Sequence, residues 1–418
     1  MMPLLEEIRA GAQNLATELV ARRREFHQHP ELSHQEEHTA RVVADYLRDL
    51  GLAVKTGIAG HGVVGVLQGG RPGRAVAWRA DMDALPIIEQ VRLPWRSKVD
   101  GVMHACGHDF HLSIGLGAAR LLSSLRDRLA GQHVFIFQPA EEGPPRGDSG
   151  AKGMVAAGVL DHPQVAAVCA LHVAPNLDVG HIRYGPGVVM AGADRIILTV
   201  TGKSAHGATP HRGVDPILVA AQVLNHIQGF LAQRIDARAP KILTFGRIQG
   251  GNRFNILADE VVLEGSLRYL QESVRQEVVS GLRRQFAGLT QATGAEIKLT
   301  VEPLFPMLSN DPELTGQAVQ VLQTLLGPKH LKLLRPAMGS EDFPYFAARA
   351  PGFYFFLGVR TPNSRGQALH SPDFNPDEAA LPCGLTAAAG LLACLAEPEF
   401  PALAAPAPLL HENGPGGR

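Results

Sequence analysis

Cys106, His108, Glu141, Glu142, His172 and His370 are the residues of this chain whose types and spacing could do chemistry together. The first two stand in His104-Ala105-Cys106-Gly107-His108-Asp109 and the carboxylates in Gln138-Pro139-Ala140-Glu141-Glu142-Gly143. A thiol, imidazoles and carboxylates are the side chains that hold transition metals. Taken singly, none is decisive: a histidine after a strand is more often a structural hydrogen-bonding residue, and a Glu-Glu pair is usually a solvated face. Their joint occurrence carries the argument. Cys106, His108, Glu142, His172 and His370 offer five donor atoms from four separate loops. One ion takes about four ligands in a closed site and three plus water in an open one. Five donors fit two ions sharing a bridging water. Glu141 adjoins Glu142, so its carboxylate lies near such ions without having to bind them. A carboxylate there can take a proton from metal-activated water and pass it to a leaving amine.

These residues need elements that bring them to one edge. Apolar runs at 63–67, 75–78, 133–137, 165–171 and 353–357 read as strands. The polar clusters follow the strands at 133–137, 165–171 and 353–357, and Cys106 and His108 precede a helix predicted over 110–129. Helices are also expected over 4–30 and from Ser33-His34-Gln35-Glu36, a capping-box pattern, to Leu50, with Gly51 at the position after the helix end. Strands alternating with helices give an α/β fold, a mostly parallel sheet with covered faces. Open sheets of this kind place their sites at the carboxyl ends of strands. Between about 186 and 302 the rhythm changes. Strands at 194–200, 241–248, 260–269 and 296–301 and helices at 215–234 and 272–292 follow the β-α-β-β-α-β, ferredoxin-like order. That segment reads as an α+β domain inserted into the first one, leaving 1–185 and 303–398 as one domain. The Pro-, Ala- and Gly-rich stretch 399–418 reads as a mobile tail without chemistry.

The bulk numbers exclude several classes. With 39 Lys+Arg against 40 Asp+Glu, a net charge of −1 gives no electrostatic reason to expect nucleic acid or an anionic membrane as partner. The 418 residues allow two domains and a large core. Four cysteines, Cys106, Cys169, Cys383 and Cys394, are too scattered for a disulfide framework. All but Cys106 sit in apolar runs and read as small buried hydrophobes. The N-terminus has early acids and no apolar signal region, and no run approaches a membrane span. A cytoplasmic location is expected.

The set of segments RADMDALP (Arg79 to Pro86), HACGHD (His104 to Asp109), QPAEEG (Gln138 to Gly143), Leu171-His172-Val173, GSEDF (Gly339 to Phe343) and Leu369-His370-Ser371-Pro372 resembles the M20 metallopeptidase family. Within it the chain resembles the amidohydrolase branch: hippurate hydrolases, plant auxin-conjugate hydrolases and N-acyl-L-amino acid amidohydrolases. The resemblance runs from about residue 15 to 396. It implies a di-metal catalytic domain with an inserted lid that also dimerises, and cleavage of the amide of an N-acyl amino acid by metal-activated water. It implies that Cys106, His108, Glu142, His172 and His370 hold two divalent ions, Mn²⁺ or Zn²⁺, with Co²⁺ and Ni²⁺ also compatible. Glu141 is then the general base, and Asp83 orients a ligand. Asp81 stands where many family members have a ligating histidine, so its role is open, as is whether Cys106 bridges both ions. In Gly202-Lys203-Ser204-Ala205-His206-Gly207, His206 matches the histidine that stabilises the tetrahedral intermediate, often from the partner subunit. Asn255 and Arg268 are candidate substrate contacts, Arg268 for a carboxylate. His29, His111, Glu341 and Asp342 read as scaffold. The partners implied are a small N-acyl amino acid or short peptide and a second copy of the chain. A carboxypeptidase or dipeptidase of the same family is the nearest alternative, and a non-catalytic binding protein on this fold the alternative from another class.

Overall fold

The computed structural model describes residues 1–143 and 149–400, so most of the segment read as a mobile tail lies outside the described residues. The chain forms two compact units. The first is Met1–Val189 with Ser309–Arg335 and the chain from Asp342 onward; the second is Met190–Leu308 with Pro336–Glu341. Each has its own hydrophobic core.

The first unit is built on an eight-stranded sheet in the order Ala53–Ile58, Gly62–Gln68, Ala130–Gln138, Arg71–Asp81, Val165–Asp178, Gly352–Arg360, Ile182–Tyr184, Leu331–Leu333. Its four long central strands, Ala130–Gln138 through Gly352–Arg360, are mutually parallel. The hairpin Ala53–Gln68 extends one edge in antiparallel sense, because a connection this short can only reverse the chain. The central strands are buried almost without interruption, from Ala75 to Asp81 and from Val134 to Gln138. A covered parallel sheet demands that continuous apolar reading.

Helices Met2–Asn14, Ala16–Gln28, Glu37–Asp49, His108–Ser124, Pro312–Leu326 and Leu381–Leu395 supply core residues to this unit. The single helix expected over 4–30 is two consecutive helices meeting at Leu15, whose backbone stays right-handed. The stretch Glu378–Leu395 is 18 residues long with mean hydropathy 1.6, so one run does approach the length of a membrane span. It is 78% buried and packs against His108–Ser124 as a core helix.

The capping box is a correction. Helix Glu37–Asp49 begins after Glu36 with no side-chain cap from Ser33 or Glu36. Its first amides are taken by Glu31, whose carboxylate accepts from the backbone N–H of His38 at 3.0 Å and Thr39 at 2.8 Å. The far end behaves as expected: Gly51 lies beyond the helix at φ +75°, a left-handed position that glycine takes without strain.

The second unit is an antiparallel four-stranded sheet in the order Glu296–Phe305, Gly192–Thr201, Glu260–Tyr269, Lys241–Gly250. Helices Pro216–Arg234 and Glu272–Thr293 pack on it. Val219, Val223, Ile227, Val278, Leu282 and Phe286 meet Ile196, Leu198 and Val200 in one core. The chain order is β-α-β-β-α-β, the ferredoxin-like arrangement. Asp215 starts the first helix by accepting from the N–H of Ile217 at 2.9 Å, with Pro216 at the first helical position.

Candidate metal and catalytic site

Four ends of the first unit's elements converge. Strand Arg71–Asp81 delivers Asp81 and the Asp83 turn, and strand Ala130–Gln138 delivers Glu141 and Glu142. Helix His108–Ser124 starts at His108, just after Cys106. His172 lies inside strand Val165–Asp178, not after it as the sequence reading had it: the strand runs on to Asp178.

Two local features aim these side chains. Gly107 sits at φ +84°, and a Cβ on it would lie 2.4 Å from Val173 Cγ2, so only glycine can separate Cys106 from His108 here. His370 is a non-glycine residue at φ +60°. Its N–H donates to the carbonyl of Ala105 at 2.9 Å, which brings the exposed imidazole to the buried thiol next door.

The resulting distances are short. Cys106 Sγ lies 3.3 Å from His172 Nε2 and 3.3 Å from His370 Nε2, and His370 Nε2 lies 2.9 Å from Glu142 Oε1. Cys106, His108 and His172 have donor atoms within 4.8 Å of one another; so do Cys106, Glu142 and His370, and so do His108, Glu141 and Glu142. Cys106 belongs to the first two groups, and all five predicted donors with Glu141 are brought together.

The donor set fits divalent cations. His108 Nδ1 donates to the Asp83 carbonyl at 2.8 Å and His172 Nδ1 to the Val173 carbonyl at 2.8 Å. Each histidine therefore has its second nitrogen, Nε2, left for the cluster in the tautomer a metal requires. His108 Nε2 is buried without a hydrogen-bond partner among the described residues. An orphaned imidazole nitrogen beside a thiol and carboxylates is expensive in a protein alone and ordinary around an ion. Burial, and then the Glu142 and Glu141 carboxylates, push the Cys106 thiol well above its usual range; a cation among these atoms reverses that repulsion.

A buried charge network underlies the cluster. Asp81 accepts from His111 Nδ1 at 2.5 Å and from Arg79 Nη1 at 2.7 Å. Arg79 also reaches Gln138 Oε1 at 2.7 Å and Asp342 Oδ1 at 2.8 Å. His111 Nε2 in turn accepts the N–H of Val173 at 3.1 Å, beside His172. Asp81 is thus engaged on both oxygens by protein groups. Asp83 Oδ2 accepts from Ser33 Oγ at 2.6 Å and from the Glu142 N–H at 2.9 Å. On the other side of His108, Asp109 takes His27 Nδ1 at 2.8 Å and Arg23 Nε at 2.9 Å. Despite burial, Arg23 and His27 hold its carboxyl well below the usual range. Sequence reading missed Arg79, Ser33, Glu36 and His27. The signal for Arg79 was available: a charge inside a buried apolar strand must be paired.

The second unit holds the other candidates. His206 and Asn255 are exposed neighbours, joined by the Gly207 N–H to Asn255 carbonyl bond at 2.8 Å and the His206–Ile256 bridge. Arg268 lies near the far end of strand Glu260–Tyr269, eight residues or roughly 26 Å along it at about 3.3 Å per residue from the end next to Thr201. Its guanidinium donates to the Met338 carbonyl at 3.1 Å and Ser340 Oγ at 3.0 Å, so it braces that loop. Arg268 and Asn255 are not brought together within the unit.

A parallel-sheet scaffold with clustered thiol, imidazole and carboxylate donors, and one further carboxylate beside them, defines a metal-dependent amidohydrolase. Comparison with known proteins narrows the class. The profile of peptidase family M20/M25/M40 matches residues 77–393, and the chain belongs to that family. Thermostable carboxypeptidase 1 of Saccharolobus solfataricus is 38% identical over 92% of this chain and 97% of its own. The N-acetylcysteine deacetylase of Bacillus subtilis is 35% identical over 87% of this chain and 93% of its own. A solved Bacillus subtilis structure, described as a dinuclear metal binding peptidase from the M20 family, superposes with a TM-score of 0.79 at 33% identity, covering 91% of this chain and 98% of that one. The donor clusters and this dinuclear relative together support two divalent ions.

Proposed function

We propose that the protein hydrolyses the amide of N-acyl amino acids, releasing a carboxylic acid and the amino acid. The observation that carries this reading is Glu141 beside a five-donor cluster in which Cys106 belongs to two groups. Cys106, His108, Glu142, His172 and His370 would hold the ions, Mn²⁺ or Zn²⁺. When bound, the ions polarise the scissile carbonyl and lower the pKa of the attacking water. Glu141 takes the proton from that water and returns it to the leaving nitrogen. Asp83 keeps His108 and the Glu142 amide in place; its Oδ1 is 3.3 Å from His108 Nδ1. His206 donates a hydrogen bond to the carbonyl oxygen as charge develops there, with Asn255 beside it contacting the substrate; Arg268, at the other end of the unit, pairs with the substrate's carboxylate in the site of a different subunit from the one His206 and Asn255 serve.

The second unit, expected over about 186–302, serves in this reading as lid and dimerisation domain of a homodimer. Its edge strand Lys241–Gly250 and the exposed Ile217, Leu218, Ile248 and Phe254 support that. A cytoplasmic location fits four free cysteines.

Glu141→Gln tests the mechanism. Turnover should fall by about 10²–10⁴, the usual worth of general acid–base catalysis, while elemental analysis still finds two ions per chain. Wild-type turnover in that variant would sink the assignment. Chelation should abolish activity and Mn²⁺ or Zn²⁺ restore it; full activity in protein analysed as metal-free refutes the metal reading. A carboxypeptidase reading has one specific support, the 38% identity to a relative of that name. N-acetyl-, N-benzoyl- and indole-acyl-amino acids assayed beside dipeptides separate the two: preference for the acyl amino acids is expected, and preference for peptides favours the alternative.

A further inference from the structure

Ser33 and Glu36, which do not cap the helix they precede, both send their side chains to the turns that carry the site. Ser33 Oγ donates to Asp83 Oδ2 at 2.6 Å, the same oxygen that accepts the Glu142 N–H at 2.9 Å. Glu36 Oε1 accepts the backbone N–H of Ala140 at 2.7 Å. Ala140 directly precedes Glu141 and stands at φ +51°, a left-handed conformation that alanine adopts only under constraint. The constraint comes from two sides. The Gly150 N–H donates to the Ala140 carbonyl at 3.1 Å. Gly150 is packed so tightly there that a Cβ on it would lie 1.6 Å from the Pro139 carbonyl oxygen. Glu36 holds the opposite, N–H side.

Glu36 is fully buried, and its second oxygen has no hydrogen-bond partner among the described residues. Burial and the nearby Asp83 work against a charge on Glu36 despite its main-chain amide partners, so the group is unfavourable as a way to stabilise a fold. The arrangement makes sense if what matters is the conformation of the residue before the base.

We propose that Glu36 is a positioning residue for catalysis: its carboxylate locks Ala140 in the left-handed conformation and so sets the direction in which Glu141 leaves the strand. Ser33 steadies the neighbouring Glu142 through Asp83. This inference rests on Glu141 being the general base. Without the Glu36 acceptor, Ala140 relaxes toward right-handed backbone and swings the Glu141 carboxylate. A displacement of about 1 Å at a reacting group can cost on the order of 100-fold in rate.

Three substitutions in the full-length, metal-loaded protein test it. Glu36→Gln keeps an acceptor at the same reach. Glu36→Met keeps the volume without it. Glu36→Asp keeps the charge but is one methylene too short. The expected result is a kcat lowered about 100-fold in Glu36→Met and Glu36→Asp, with KM within about threefold and two ions still bound. Glu36→Gln should stay within about fivefold of wild type. Hydrogen exchange of the 138–143 segment in metal-free protein should accelerate in Glu36→Asp and not in Glu36→Gln. Should Glu36→Met fail to fold, the Asp and Gln variants remain decisive. Wild-type kcat in Glu36→Asp, equal losses in the Asp and Gln variants, or loss of metal in step with activity would each overturn the proposal. Glu141→Gln, assayed alongside, separates the two levels. If it is inactive while Glu36→Asp is fully active, only the positioning role fails. If Glu141→Gln turns over normally, the general-base reading fails first.

Discussion

His27 and His133 show burial opposing the charge on one side-chain type with opposite net outcomes. Burial and the neighbouring Arg23 oppose a charge on His27, yet Asp109 and Glu89 outweigh them and raise its pKa. His133, fully buried in strand Ala130–Gln138, faces no carboxylate that offsets its burial, which lowers it to about 4. The sign of the stability effect follows. In the unfolded chain a histidine binds its proton below about 6.5; folded, His133 binds none until about pH 4. The unfolded state therefore holds more protons between those values, and stability falls as pH drops through that window. At pH 5 the loss from this group alone is about 2 kcal/mol. His133→Leu, which removes the titration and keeps an apolar side chain, should show that much less destabilisation between pH 7.5 and pH 5.0 in urea unfolding. Identical pH profiles for the two proteins would mean that His133 is not the neutral, buried group described.

At the scale of elements, the two glycines 107 and 229 make opposite predictions. Gly107 starts helix His108–Ser124 at φ +84°, with Val173 where a Cβ would go. Gly107→Ala combines left-handed strain of about 1–2 kcal/mol with overpacking of about 1–3 kcal/mol, and it shifts Cys106 and His108 relative to each other. It should lower both the urea midpoint and the metal content. Gly229 lies inside helix Pro216–Arg234 with nothing near its missing Cβ. Gly229→Ala should stabilise the second unit by about 1 kcal/mol. Equal effects from the two would contradict both arguments. Elements of this kind were largely legible in the sequence. Strands such as Arg71–Asp81 and Val165–Asp178 have buried stretches, residues 75–78 and 167–171, with both faces covered, so hydrophobicity runs on there and stands out. The β-α-β-β-α-β order was legible because its strands and helices differ in hydrophobic pattern, and Asp215 with Pro216 marks the start of the first helix. What escaped was long-range. A Ser-x-x-Glu pattern looks the same whether it caps the next helix or reaches Asp83 and Ala140, 50 and 104 residues away. The Arg79–Asp81–His111 chain escaped for the same reason: its partners come together only when the sheet and helix His108–Ser124 are packed. The donor residues themselves were readable, because metal chemistry restricts residue type far more tightly than hydrogen bonding does.

At the scale of the whole molecule, the distribution of exposed apolar surface points to a second copy of the chain. Of the nine exposed large apolar residues among those described, six, Ile217, Leu218, Ile242, Ile248, Phe254 and Ile256, belong to the second unit, and Met2, Ile88 and Val99 to the first. Strand Lys241–Gly250 ends its sheet with one side of its backbone unpaired by another strand of that sheet. Such an edge with apolar neighbours is a template for pairing, and a two-fold axis lets one patch serve both copies. Ile248→Lys should therefore shift the protein toward monomer in sedimentation; an unchanged dimer would move the interface elsewhere, and a monomeric wild type would remove it. The exposed His206 of the same unit makes a sharper demand. If it serves the partner's site, a mixed dimer of Glu141→Gln and His206→Ala chains contains one complete site: the second chain's Glu141 with the first chain's His206. Equal amounts, unfolded and refolded together, yield about half mixed dimers with one working site of two, so about a quarter of wild-type activity should return. Each variant alone should stay inactive. If His206 serves its own chain, no mixed dimer contains a complete site and no activity returns. Recovery near one quarter would establish that each site is completed across the dimer.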